Sequence, residues 1–287
     1  INSGRGVNAQ IDGTALSYPS SFGWNARCVE GGKYYYRDSA NGWSFKNAVP
    51  GYQTWGTVTH GIRVSANSYL YSMVSKLDLC DISDMANKLH LHDGLGQQLY
   101  DPGLLSANIG GTRYGATPLT MASAYATFAS EGKYCEPRPL EKITKSDGSP
   151  MKTYESKWEQ AISPDIANGV SYVLKGVLAP GGSAPKRAIG LPDASAAKTG
   201  TNDNSSQTWM VGYTRGLATA SWVGSNDLGY RSMNGIAING RVLEYVDGAT
   251  YAGAQWQQFM QAMAPKYNTE KFTEPPASVT STNVNGN

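Results

Sequence analysis

Between residues 163 and 224 the spacing of apolar residues changes from a period of 3.6 to a period of 2, and this restricts the fold more than any other feature. In SPDIANGVSYVLKGVLAPGG, Ser163-Pro164 opens a helix that turns Ile166, Val170, Val173, Leu174 and Val177 to one side. After the Gly181-Gly182-Ser183 loop, SAAKTGT, TWMVGYT and LATASWVG are three consecutive strand segments. The last two are joined only by Arg215-Gly216, so they are antiparallel neighbours. YAGAQWQQFMQAMA then predicts a closing helix with Trp256, Phe259, Met260 and Met263 on its apolar side. Helices before and after such a segment predict an α+β fold in which helices flank an antiparallel β-sheet.

The chain upstream is helical in pieces. In SYLYSMVSKL, Leu70, Met73, Val74 and Leu77 recur at helical spacing, which predicts an amphipathic helix starting close to Ser65 or Ser68. A second short helix is expected after Ser83. ATPLTMASAYATFASEG has Thr117 as N-cap, Pro118 at the first helical position, Leu119, Ala122, Tyr125 and Ala126 as its apolar face, and Gly132 as terminator. PLEKITKSDGSPMKTY predicts two strands around a Ser-Asp-Gly turn. Residues 1–58, rich in Gly, Tyr, Ser and Asn, predict irregular loops with short strands; 59–268 hold the core; 269–287 have little to bury and predict a flexible tail.

Charge and composition remove several classes of function. With 24 basic and 22 acidic residues free of long runs, the net charge of +2 provides no electrostatic footprint for nucleic acid. No stretch approaches the length of a membrane-spanning helix. Cys28, Cys80 and Cys135 allow at most one internal disulfide, whose pairing the sequence leaves open, and their spacing matches no zinc ribbon or finger. His90 and His92 have no acidic or thiol partner at ligand spacing, so they read as polar residues at a helix end, and no metal or cofactor is expected.

The run Lys198-Thr199-Gly200-Thr201 carries the chemistry. Strand alternation places the Thr199 and Thr201 hydroxyls on one face, while Gly200 leaves the opposite face unobstructed. Two hydroxyls beside the Lys198 ammonium can hold a small carboxylate, and exposed strand amides can pair with an extended peptide. By itself the run reads more readily as an ordinary strand ending in a lysine, with threonine there for β-propensity.

AAKTGTNDNSSQTWMVGYT followed by ATASWVG resembles the third motif and hairpin of the penicillin-binding proteins, the serine DD-transpeptidases that cross-link peptidoglycan and share their S-x-x-K, S-x-N and K-T-G signature with class A β-lactamases. TVTHGIRVSANSYLYSMVSKLDL resembles the helix bearing the second motif, and GATPLTMASAYATFASEGKY the segment between the second and third motifs in the large bifunctional class A proteins. The resemblance spans roughly residues 55 to 265. S-x-N begins at Ser39, Ser65, Ser106, Ser232 and Ser281, and only Ser65-Ala66-Asn67 stands at the head of an amphipathic helix before K-T-G. The resemblance implies that Ser65 relays a proton to the leaving group with Lys198 hydrogen-bonded behind it. It likewise implies that Asn67 positions the substrate backbone and that Thr199, Gly200 and Thr201 bind substrate.

The first motif departs from the pattern. Ser-x-x-Lys occurs at Ser130, Ser149, Ser183 and Ser195, all after Ser65, and Ser195-Ala-Ala-Lys198 lies on a strand, where i and i+3 point to opposite faces. In the family this motif falls a short distance before a segment like INSGRGVNA, so Ile1 is expected just past it. The fold is therefore expected to be β-lactamase/transpeptidase-like without the first-motif helix in this chain, the nucleophilic serine being supplied by a companion N-terminal polypeptide. The implied function is peptidoglycan DD-transpeptidation, with D-Ala-D-Ala stem peptides and β-lactam antibiotics as acylating partners, on the extracytoplasmic face of the bacterial membrane and anchored by an upstream segment. The rivals are a DD-carboxypeptidase or β-lactamase on the same scaffold, and a non-catalytic β-lactam sensor.

Overall fold

The computed structural model describes residues 5–225, 231–238 and 240–282. Residues 5–57 make short paired strands: β1 (Gln10–Asp12) with β6 (Trp55–Thr57), β2 (Ser17–Tyr18) with β5 (Trp43–Ser44), and β3 (Trp24–Asn25) with β4 (Lys33–Tyr34). The aromatic residues of this region close over a cluster of their own, in which Trp24 and Tyr71 are fully buried against Tyr18, Phe22, Trp43 and Phe45.

Three helices follow: α1 (Val58–Val64), α2 (Asn67–Val74) and α3 (Leu79–Lys88). Ser65 separates α1 from α2 in the left-handed conformation, at φ 58°. Helix α3, expected to follow Ser83, begins before it, because Asp78 caps it by accepting the Cys80 N–H at 2.9 Å. In α4 (Pro118–Ala129) the Thr117 hydroxyl accepts the Thr120 N–H at 3.0 Å, as the Thr-Pro start predicts. Its buried side differs from the expected one. Leu119 and Ala126 are exposed, whereas Thr120, Ala124 and Thr127 are buried.

Beyond α4, β7 (Lys133–Cys135) pairs with β10 (Trp158–Gln160), and the predicted hairpin forms as β8 (Lys142–Thr144) and β9 (Pro150–Thr153). Helix α5 (Pro164–Leu178) starts where Ser163 accepts the Ile166 N–H. The central sheet is β11 (Ala196–Thr201), β12 (Gln207–Thr214) and β13 (Leu217–Gly224), in that order and antiparallel throughout. A small pair, β14 (Ala237–Ile238) and β15 (Arg241–Val242), precedes α6 (Tyr251–Met263).

Cross-strand register assigns the sheet faces. Lys198 stands opposite Val211 and Gly200 opposite Trp209, whereas Thr199 and Thr201 stand opposite Met210 and Thr208. On the Lys198 face Tyr213 packs against Tyr125 and Phe128 of α4 and shares a hydrogen bond with Ser171 of α5. On the other face Trp256 and Met260 of α6 are buried, while Phe259, expected with them, is half exposed. The α+β arrangement of helices on both faces of an antiparallel sheet is the expected one.

The C-terminal stretch departs from the expected flexible tail. Phe272 is buried against Tyr213, and its N–H donates to Asp193. Val279 is buried with Val7 and Val173 and accepts the Val7 N–H. Two isolated apolar side chains in a polar segment suffice to dock it, although they leave no periodic signal. Residues 283–287 of that stretch lie outside the described residues.

Between α2, α3 and α5 lies an apolar cleft of about 600 Å³, lined among others by Leu70, Met73, Val74, Ile82, Val170 and Leu174. Leu70, Met73 and Val74 of the stripe read from SYLYSMVSKL lie on α2, whereas Leu77, expected on the same helix, follows its end; all four line this cleft, and only Val74 among them is buried.

Candidate active site

Ser65 and Lys198 meet. Lys198 lies on β11, the edge strand of the central sheet, and its Nζ donates to Ser65 Oγ at 2.7 Å and to the Thr199 carbonyl at 2.9 Å. An ammonium has three donors, so one remains for an incoming group. Burial of the side chain lowers the Lys198 pKa to about 8, since desolvation disfavours the charged form. Ser65 is exposed, and its left-handed backbone turns the chain sharply between α1 and α2.

Asn67 begins α2 beside Ser65. Its Nδ2 donates to the Lys46 carbonyl at 2.7 Å, which fixes the amide orientation and leaves Oδ1 as an acceptor. The neighbouring Ser68 is held by Asn47, whose Oδ1 accepts the Ser68 N–H at 2.9 Å and whose Nδ2 donates to Ser68 Oγ at 3.0 Å. The irregular N-terminal region therefore latches onto the first turn of α2. Nothing in the sequence singled out Lys46 or Asn47, because their partners lie 21 positions away with no local pattern.

The two threonines share the face opposite Lys198. Thr201 Oγ1 accepts the Gly248 N–H at 3.0 Å, and Thr199 Oγ1 lies 3.0 Å from Ser183 Oγ. Gly248 presses backbone against backbone: a Cβ there would lie 2.4 Å from the Trp209 carbonyl oxygen and 2.7 Å from that of Gly200. At Gly200 itself, a Cβ would meet Trp209 Cβ at 3.2 Å. The open side of Gly200 is therefore bordered by an aromatic residue that strand alternation did not reveal.

Other matches to the motifs form local bonds. Ser39 and Ser232 accept the N–H groups of Asn41 and Asn234, and Ser106 donates to the Gly111 carbonyl. Among the Ser-x-x-Lys serines, Ser195 is buried and donates to Leu191, Ser130 donates to Ala126, and Ser149 donates to Asp147. His90 stacks on Tyr134 and pairs with Glu159, whereas His92 Nδ1 donates to the Asp93 carbonyl. No group of three or more potential metal ligands occurs among the described residues. Cys28 and Cys80 form a disulfide that ties the β3–β4 region to α3, and Cys135 is free.

Residues 28–267 match the penicillin binding protein transpeptidase domain. The chain is 30% identical over 186 residues to penicillin-binding protein 1A of Mycolicibacterium smegmatis, a match covering 60% of this chain and 23% of that protein. It spans about a quarter of the length of the curated class 1A relatives it matches. The fold is similar to that of the penicillin-binding protein PonA1 from Mycobacterium tuberculosis, with a TM-score of 0.71 and 23% identity over 96% of this chain and 68% of the other. PonA1 in complex with penicillin V superposes with a TM-score of 0.66 at 22% identity, over the same shares of the two chains. The D,D-transpeptidase domain of a peptidoglycan glycosyltransferase from Eggerthella lenta has a TM-score of 0.63 and 16% identity, covering 92% of this chain and 62% of that one.

Proposed function

The chain belongs to the penicillin-binding protein transpeptidase family, and from that premise we propose that it supplies the second and third motifs of a peptidoglycan D-Ala-D-Ala transpeptidase that β-lactams acylate. The observation that carries this reading is the 2.7 Å bond between Lys198 and Ser65, which joins two motifs 133 positions apart.

The reaction divides between this chain and a nucleophilic serine on a companion N-terminal polypeptide. That serine, deprotonated by the lysine of its own S-x-x-K, attacks the carbonyl of the penultimate D-Ala. The Thr201 N–H supports the oxyanion together with the N–H of the nucleophile. Ser65 passes a proton to the departing D-Ala nitrogen, with Lys198 behind it, and an amine of a neighbouring stem then attacks the acyl ester. Asn67 Oδ1 is free to accept an N–H of the substrate backbone, while the Thr199 and Thr201 hydroxyls receive its carboxylate, to which the Lys198 ammonium on the other face of the edge strand adds the attraction of its charge.

The apolar cleft supports the companion segment. Partly buried Leu70, Met73 and Leu77, which line the cleft together with Val170, suit the apolar face of one further helix. Each square ångström of such surface removed from water is worth about 25 cal/mol. The Cys28–Cys80 disulfide supports an extracytoplasmic location, because such bonds persist in oxidising compartments. Among the described residues no helix is long and apolar enough to cross a membrane.

Denaturing mass spectrometry of the intact, penicillin-treated protein tests this. The acyl mass is expected on the companion segment, and purified stem peptides are expected to yield cross-linked product. A penicilloyl adduct on Ser130, Ser149, Ser183 or Ser195, or release of D-Ala with no cross-linking, would overturn the assignment.

A further inference from the structure

Ser183 occupies a place that the reaction above does not use. It follows Gly181-Gly182 in the loop between α5 and β11, and it is bonded to both motif segments. Its backbone N–H donates to the Arg63 carbonyl at 3.0 Å, two residues before Ser65, and its hydroxyl lies 3.0 Å from Thr199 Oγ1. The loop has little freedom around it. The next residue, Ala184, is 1% exposed and donates its N–H to Val177 at 3.0 Å. The Arg63 guanidinium donates to the Pro180 carbonyl, and a Cβ at Gly182 would lie 2.3 Å from the Gly176 carbonyl oxygen.

We propose that Ser183 is a positioning residue: its hydroxyl donates to Thr199, so that the Thr199 proton is directed at the substrate carboxylate, and its backbone holds that threonine in register with Ser65. This rests on the transpeptidase reading. The direction of the Ser183–Thr199 bond follows from hydrogen-bond bookkeeping. A carboxylate only accepts, so a hydroxyl that serves it must donate its single proton there, and any bond from a neighbouring hydroxyl must then be one that the threonine accepts. Thr201 obeys the same rule, because its oxygen already accepts from Gly248 and its proton is free to point away. The Gly248 N–H has one role, as donor. The Ser183 hydroxyl can reverse, and a bound carboxylate selects one direction.

The test uses the intact protein and two probes, penicillin G and its methyl ester, which lacks the charged acceptor. Removing one neutral hydrogen bond typically costs a fewfold to about tenfold. Ser183→Ala is therefore expected to slow acylation by the free acid by roughly fivefold to tenfold through weaker binding, while leaving the slower ester reaction and the pH profile unchanged. Ser183→Thr should restore the free-acid rate. In a Thr199→Val background, Ser183→Ala should have no further effect, since its effect passes through the lost hydroxyl. Ser183→Cys, close in size and a weak donor, gives an intermediate loss and serves if Ser183→Ala lacks a cooperative urea transition. Equal slowing of acid and ester, no slowing of either, or an undiminished effect without Thr199 would overturn the positioning role alone. A wild-type protein that penicillin G does not acylate would overturn the transpeptidase reading along with it.

Discussion

Lys198 Nζ and Ser65 Oγ lie 2.7 Å apart, one on an edge strand and the other at a left-handed junction between two helices. Removal of either partner should leave the fold nearly intact, since Ser65 is exposed and alanine is tolerated on the strand. Lys198→Ala and Ser65→Ala should each reduce acylation by labelled penicillin by about a hundredfold or more, the usual scale for a proton-transfer group. Ser106→Ala and Ser232→Ala should label at the wild-type rate. Loss of labelling in Ser106→Ala with Ser65→Ala unaffected would show that another S-x-N serves the site.

Lys198 also predicts a pH limb. Burial lowers its pKa to about 8, so the ammonium that attracts a carboxylate is present below that pH and lost above it. The second-order acylation constant for a carboxylate-bearing β-lactam should therefore fall as pH rises through about 8. At saturating ligand the limb should move to higher pH, because a bound carboxylate favours the charged form. Residual acylation in Lys198→Ala should lack this limb, and its persistence there would assign it to another group.

Gly248 supports Thr201 by contact as well as by hydrogen bond. A methyl group added there meets two carbonyl oxygens closer than real Cβ atoms approach, so the loop before α6 must move from β11. Gly248→Ala should cost about 1 to 3 kcal/mol in urea unfolding, the range for overpacking. It should also slow acylation, because Thr201 loses the donor that orients it. An unchanged unfolding midpoint would show that this contact is dispensable.

The disulfide sets a count of thiols. Native protein should present one titratable thiol, Cys135, and three after unfolding with reductant. Cys28 and Cys80 are 52 positions apart, and closing a loop of that length stabilises by up to about 4 kcal/mol in the chain-entropy treatment. Cys28→Ser with Cys80→Ser should lower the urea midpoint accordingly. Three thiols in the native protein would exclude the pairing.

Asn47 should matter although it belongs to no motif. It satisfies both the N–H and the hydroxyl of Ser68, which is buried. Asn47→Ala leaves those groups without partners, at a cost of about 1 to 3 kcal/mol, and should loosen the start of α2 that carries Asn67. Urea unfolding together with penicillin labelling measures both effects. Wild-type values in each would remove the N-terminal latch from the account.

What the sequence determined alone is the local part of this protein. Thr117-Pro118 and Ser163-Pro164 announce helix starts because a cap and its amide lie three residues apart, and β11 to β13 are legible because alternation and a two-residue turn act within one strand length. The motifs could be recognised in order, and Ser65 selected from five candidates, by their place relative to those elements. Tertiary structure decided the rest. Whether Lys198 reaches Ser65, which hydroxyl faces Thr199, and which cysteines pair all depend on residues far apart in the chain, and no local periodicity encodes the packing that brings them together. Period alone also cannot name what an apolar stripe meets. Leu119 and Phe259 lie on predicted apolar faces yet are exposed, while Phe272 and Val279 in a polar stretch are buried, because burial follows which surface a neighbouring element covers.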